Sequence, residues 1–138
     1  VNILNSIGAI GYISENSDPN RVLSECQKKD IPILAIRAVQ AGALTSSMDR
    51  KPHASGMDSA DFIDFERALP FRKLANEWGE SPASLAHRFA LSVDKVSSVI
   101  LGVKNRQELQ ECIDAESKGK LSSYEMETLQ NLFLDINL

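Results

Sequence analysis

The sequence has little of what usually marks a specialised function. Its two cysteines and two histidines, Cys26, Cys112, His53 and His87, are too few and too scattered to suggest a metal centre. No apolar run approaches the length of a membrane span, and no basic-then-apolar segment stands at its start. Lysines and arginines form no block, and the net charge of −4 argues against binding nucleic acid through charge. Repeats and low-complexity stretches are absent. Neither a membrane nor a nucleic acid is expected as a partner.

What is present fits an ordinary globular protein. With 138 residues the chain can form one modest domain with a real core, and 43% hydrophobic and 25% charged residues are usual values. Cys26 and Cys112 each fall on the apolar side of an expected helix. They read as buried free thiols in a reducing, cytoplasmic setting, with a disulfide as the alternative.

The most informative stretch is 96–112. Val96, Val99, Ile100 and Leu101 form an apolar, β-branched-rich run, as in a strand buried on both faces. Gly102 ends it, and a polar segment opens a helix with apolar positions Leu109, Cys112 and Ile113. A strand, a glycine turn and a helix start carrying Lys104 can take a phosphate, because free amides and the helix dipole favour an anion there. A plain connecting turn is the other reading.

The remaining segments follow in chain order. Residues 1–7 read as a short buried strand, followed by a loop over 8–16 anchored by Tyr12 and Ile13. Ser17, Asp18 and Pro19 start a helix with Val22, Leu23 and Cys26 on one face, Lys28 and Lys29 near its end and Asp30 closing it. Residues 31–36 form a strand, with Pro32 tolerable near its beginning. A strand–helix–strand unit of this kind implies a parallel sheet.

Residues 45–61 are rich in Ser, Asp, Lys and Gly and read as a surface loop, either a plain connection or a lid over a site. His53, within it, reads as solvated rather than catalytic. Phe71, Leu74, Ala75 and Trp78 give a helix over 65–78, with Pro70 tolerable only in a first turn, and Gly79 stops it. Ser81 and Pro82 start the next helix, burying Leu85, Phe89 and Ala90, while His87 reads as structural or exposed. Ser122 and Glu125 form a capping box, Leu121 can staple to Met126, and Met126, Leu129 and Phe133 make the last helix amphipathic.

Three of these stretches, in this order and spacing, resemble one family. Residues 96–112 are similar to the last strand and helix of the aldo-keto reductases. Residues 33–45, ending Gly42-Ala43-Leu44-Thr45, resemble the family's seventh strand and its Gly-x-Leu-Thr loop. Residues 74–92 resemble its seventh-helix region. The resemblance implies an α/β fold, the C-terminal part of a (β/α)8 TIM barrel: strands six to eight with their helices and a C-terminal extra helix. On that reading residues 1–138 are one partial barrel with a loop at 45–61. The start at Val1 rather than Met fits a C-terminal half.

The family reduces carbonyls by hydride transfer from a nicotinamide, with an Asp-Tyr-Lys-His tetrad drawn from the first half of the barrel. No catalytic residue is therefore assigned here. Tyr12 and Tyr124 lie in the wrong segments, and the chain alone is expected to be inactive. The resemblance implies cofactor contacts instead. Gly102 and Lys104 would approach the adenosine 2′-phosphate or its ribose. Glu111 would accept from the adenine amino group, and Gly42 and Leu44 would lie in the loop around the pyrophosphate.

The chain departs from the family at several positions. Ile3 stands where a nicotinamide-holding glutamine is common, and Cys112 replaces the usual Asn. Ile36 and Arg37 stand where an aromatic residue and Ser are common, so Arg37 would partly replace the stacking ring. Glu108 replaces Gln or Arg and opposes a 2′-phosphate, whereas Lys104 favours one. The balance leans to NADP(H) over NAD(H). A small-molecule carbonyl would be the substrate of the full-length protein. Exposed edges of an unclosed sheet would promote self-association. The alternatives are a non-catalytic half-barrel that binds nucleotides or partners, and an unrelated α/β domain.

Overall fold

The computed structural model describes residues 1, 3–6, 19–48 and 59–132. The loop at 8–16, the helix-start residues Ser17 and Asp18, His53 and Phe133 lie outside them.

Two strands, β1 (Ile33–Ala35) and β2 (Val96–Val99), pair in parallel, with Ile33 opposite Val96 and Ala35 opposite Val99. The ladder continues past the strand end, where the Ile100 amide donates to the Ala35 carbonyl at 2.8 Å. These two match the strands expected at 31–36 and 96–101. The third expected strand is not one. Residues 3–6 form a helical turn, α1 (Ile3–Ser6), and the Val1 nitrogen reaches β1's end, donating to Ile36 O at 2.7 Å. The reason lies in burial. Adjacent residues of a strand point to opposite faces, yet Ile3 and Leu4 are both fully buried in one core, which a helical turn against neighbouring helices allows.

The first long helix, α2 (Pro19–Lys28), closes at Asp30, whose left-handed φ of 57° turns the chain into β1. Its apolar face is only partly covered, and Val22 stays exposed. Between the strands come α3 (Ser59–Arg67), α4 (Leu69–Glu77) and α5 (Pro82–Ser92). The single helix expected over 65–78 is thus two, and Asp61 belongs to α3 rather than to a loop. Pro70 explains the break: it cannot donate to a preceding carbonyl and its ring crowds the turn before, so a new helix starts around it. Ala68, fully buried, is the joint.

Helix α5 starts as expected, its cap Ser81 accepting from the Ser84 amide at 3.1 Å with Pro82 in the first turn. After β2 come α6 (Arg106–Lys118), packed along α5, and α7 (Ser123–Asn131). Helix α7 carries the expected capping box. Ser122 Oγ accepts from the Glu125 amide at 3.2 Å, and Glu125 Oε2 accepts from the Ser122 amide at 2.7 Å. Those bonds hold the Glu125 carboxyl below its usual pKa.

The core lies among the helices. Phe71 and Ala75 of α4, Leu85, Ala86 and Phe89 of α5, and Leu129 of α7 enclose Ile3, Leu4, Ala43 and Leu44. Among the described elements, α5 is the helix packed most closely on the sheet. Val96 and Ala35 face in, but Leu34, Ile36, Ile100 and Leu101 are exposed, so the reading of a strand buried on both faces does not hold. In α6 likewise Ala115 is the buried residue, while Leu109 and Ile113 face outward. Among the described residues no helix is long and apolar enough to cross a membrane.

Candidate functional site

The segments that leave β1 and β2 enclose a cleft of about 350 Å³. Ligand sites of parallel α/β barrels are built from these strand-to-helix connections.

The first wall is the turn after β1. Arg37, Gln40 and Ala41 hold left-handed φ values of 57°, 46° and 53°, and Gly42 follows at +98°. Such non-glycine residues cost on the order of 1–3 kcal/mol each, so the turn must be held from outside. Gln40 Nε2 donates to Asp64 Oδ2 at 2.9 Å, Arg67 Nη1 to Asp64 Oδ1 at 3.0 Å, and Arg72 Nη1 to the Ala43 carbonyl at 3.1 Å. Leu44 sinks fully into the core and pins the turn's end. Val39, Ala41, Gly42 and the hydroxyl run Thr45, Ser46 and Ser47 face the cleft.

The second wall is the turn after β2 and the start of α6. Gly102, Val103 and Lys104 line it, followed by Glu108, Glu111 and Cys112. A Cβ on Gly102 would meet no atom within 4 Å, which leaves its backbone open to a ligand. Asn105 caps α6, its Oδ1 accepting from the Glu108 amide at 2.9 Å. The Glu108 carboxylate turns back and accepts from the Lys104 amide at 2.8 Å. Glu111 accepts from the Ser81 hydroxyl and so ties α6 to the cap of α5.

The floor is α5, where Ala83 and His87, one turn apart, face α6. Nε2 of His87 stands 3.3 Å from the Cys112 sulfur. Burial pulls the His87 pKa down, partly opposed by Glu111. Burial pushes the Cys112 thiol up, and Glu111 and Glu108 add to that. Both groups are therefore neutral near pH 7. The cleft offers hydroxyls, backbone, one lysine and two carboxylates, an arrangement suited to binding.

Gly42, Gly102, Lys104, Glu108 and Glu111, expected to serve one site, thus line one cleft. Leu44 and Arg37 do not. Leu44 is a core residue, and Arg37 turns to α3, its Nε donating to Gln40 Oε1 at 3.3 Å and its Nη2 to Asp61 Oδ1 at 3.4 Å. Ala83 and His87 were not anticipated as lining, whereas Thr45, Ser46 and Ser47 open the segment read as either a plain connection or a lid over a site. The three consecutive hydroxyl residues after Leu44 were a readable signal. For His87 there was none, since its inward direction depends on where α6 packs. Tyr124 is exposed on α7, away from the cleft. Among the described residues no cluster of His, Cys, Asp and Glu could hold a metal ion.

The sequence matches the model of the aldo/keto reductase family over residues 5–133. No curated protein matches it. Among solved structures it is similar to a thermostable aldo-keto reductase, Tm1743, crystallised with the inhibitor epalrestat. That likeness has 19% identity and a TM-score of 0.59, and covers 96% of this chain and 37% of the other. It is a likeness of fold, and this chain spans little more than a third of that protein's length.

Proposed function

The chain belongs to the aldo/keto reductase family, and from that premise we propose that it is the cofactor-holding, C-terminal portion of an NAD(P)H-dependent carbonyl reductase. The observation that carries this reading is the convergence of Gly42, Gly102, Lys104, Glu108 and Glu111 on one cleft beyond the ends of two parallel strands.

The residues fit one end of a nicotinamide dinucleotide. A cleft of about 350 Å³ lies at the low end of ligand sites, roughly 300–1,000 Å³, with room for the adenosine and its phosphates. Gly102 lets the backbone approach a phosphate, Lys104 supplies a positive charge, and Thr45, Ser46 and Ser47 offer hydroxyl donors. Glu111 is bonded to Ser81, yet a carboxylate has acceptor sites for more than one partner, so it can also take an adenine amino group. Lys104 favours NADP(H) over NAD(H). When bound, the cofactor supplies the hydride that reduces a carbonyl to an alcohol.

This chain's part is to bind and orient. By the family resemblance, we assign the proton transfer to a tetrad outside these 138 residues. The chain alone is then inactive, and a small-molecule carbonyl is the substrate of the full-length, cytoplasmic protein. The same convergence of binding groups on the cleft would serve the second reading, a half-barrel that binds nucleotide without catalysis.

Calorimetric titration with NADPH and NADH tests the binding. Trp78, the C-cap of α4, packs against the core and does not line the cleft, so its fluorescence is the poorer reporter. We expect saturable binding, tighter for NADPH, with Lys104→Met weakening NADPH by about tenfold and NADH by less. The absence of binding by either nucleotide at millimolar concentration would sink the proposal.

A further inference from the structure

The geometry points to Asp64 as a positioning residue for ligand binding. It does not line the cleft, yet it holds the turn after β1 in the shape that makes the cleft's first wall. This rests on the reading that the cleft takes a nucleotide.

The turn has two sides. Val39, Ala41 and Gly42 line the cleft, while Gln40, between the first two in sequence, is buried and reaches α3. There its Nε2 donates to Asp64 Oδ2 at 2.9 Å. The other oxygen of Asp64 is used as well, accepting from Arg67 Nη1 at 3.0 Å within α3 itself. Asp64, only 1% exposed, is thus fixed from its own helix and holds the turn from a fixed place. Asp61, three residues earlier on the same face of α3, meets Arg37 at a longer 3.4 Å and in contact with solvent. Of these two anchors Asp64 is the sealed one, and a buried contact is screened least.

Without this anchor the turn has reason to change shape. Arg37, Gln40 and Ala41 are non-glycine residues at left-handed φ, a conformation that persists only where the surroundings enforce it. A turn that samples other shapes presents Val39, Ala41 and Gly42 to the cleft for only part of the time. The apparent affinity of a ligand that needs this wall falls by that fraction. The loss applies to every ligand seated against the wall, whatever its charge. That separates Asp64 from Lys104, whose charge distinguishes a phosphorylated from an unphosphorylated nucleotide.

The test is calorimetry of NADPH and NADH on the unaltered chain, Asp64→Ala and Gln40→Ala, with amide NMR spectra of each form taken without nucleotide. Circular dichroism checks that each variant is folded. Gln40→Ala removes the turn's end of the contact and leaves the Asp64–Arg67 pair intact, so it carries the test if Asp64→Ala does not fold. Both variants should shift the amide resonances of Ala41 and Gly42. Both should weaken NADPH and NADH by about tenfold each, leaving the ratio of the two affinities unchanged. Folded variants that melt lower but bind both nucleotides as the unaltered chain does would make Asp64 a structural anchor only, with the nucleotide site still standing. Unmoved amides at Ala41 and Gly42, or a loss confined to NADPH, overturn the positioning role as well. If no form of the chain binds either nucleotide, the nucleotide reading fails and the role of Asp64 fails with it.

Discussion

The sulfur of Cys112 and Nε2 of His87 lie 3.3 Å apart, joining α6 to α5 beneath the cleft. A reactive cysteine beside a histidine would be a thiolate against an imidazolium. Here burial acts on both groups the other way, lowering the histidine's pKa and raising the thiol's. The pair is a structural contact between neutral partners.

A pH dependence follows from His87. Its folded pKa lies below the ordinary value near 6.5, so on acidification the unfolded chain takes up its proton first. The stability linked to His87 is fully present above about pH 6.5 and is lost as the pH falls through the folded pKa. Urea midpoints should therefore drop between pH 7.5 and 5.5, and His87→Gln should flatten that step. An equal drop in the variant would show that other groups are responsible.

The pair Arg88–Glu80 offers a second test. Arg88 Nη1 and Glu80 Oε2 are 2.6 Å apart, with side chains only 12% and 7% exposed. Arg88 Nε also donates to the Gly119 carbonyl at 2.9 Å, at the turn between α6 and α7. Removing one partner of a buried pair strands the other charge. Arg88→Met should cost about 3 kcal/mol of unfolding free energy in urea. Adding Glu80→Leu should recover much of that loss, since no charge is then left buried. A double variant as unstable as the single one would contradict this account.

The bare side of the sheet should govern association. Leu34, Ile36, Ile100 and Leu101 are exposed around the β1–β2 pair. Apolar residues beside unpaired parallel edges favour contact with another chain. Sedimentation should show this chain self-associating as its concentration rises, and Leu34→Lys with Ile100→Lys should shift it toward monomer. A concentration-independent monomer before substitution would end the idea.

The chain's local signals were legible from the residues alone. Ser81 with Pro82 and Ser122 with Glu125 start helices where read, because a cap is settled within about one turn of chain. The inward positions Leu85, Phe89 and Ala90 follow from the period of α5. The Gly102 turn and the Gly42 turn were likewise visible, and five of the positions tied to them share the cleft: Gly42, Gly102, Lys104, Glu108 and Glu111.

Tertiary structure decided the rest. Residues 3–6 are strand-like in composition, but a strand requires a neighbouring strand to bond, and here the helices offered Ile3 and Leu4 a better burial. Ile100 and Leu101 read as buried on both faces, yet burial needs a second layer, and among the described elements α5 is the helix packed most closely on the sheet. Arg37 turned to Asp61, Leu44 to the core and His87 to Cys112 through partners dozens of residues away or across a helix interface. A sequence specifies contacts made within a turn or two. Which side chains reach across the fold is settled only when the elements pack.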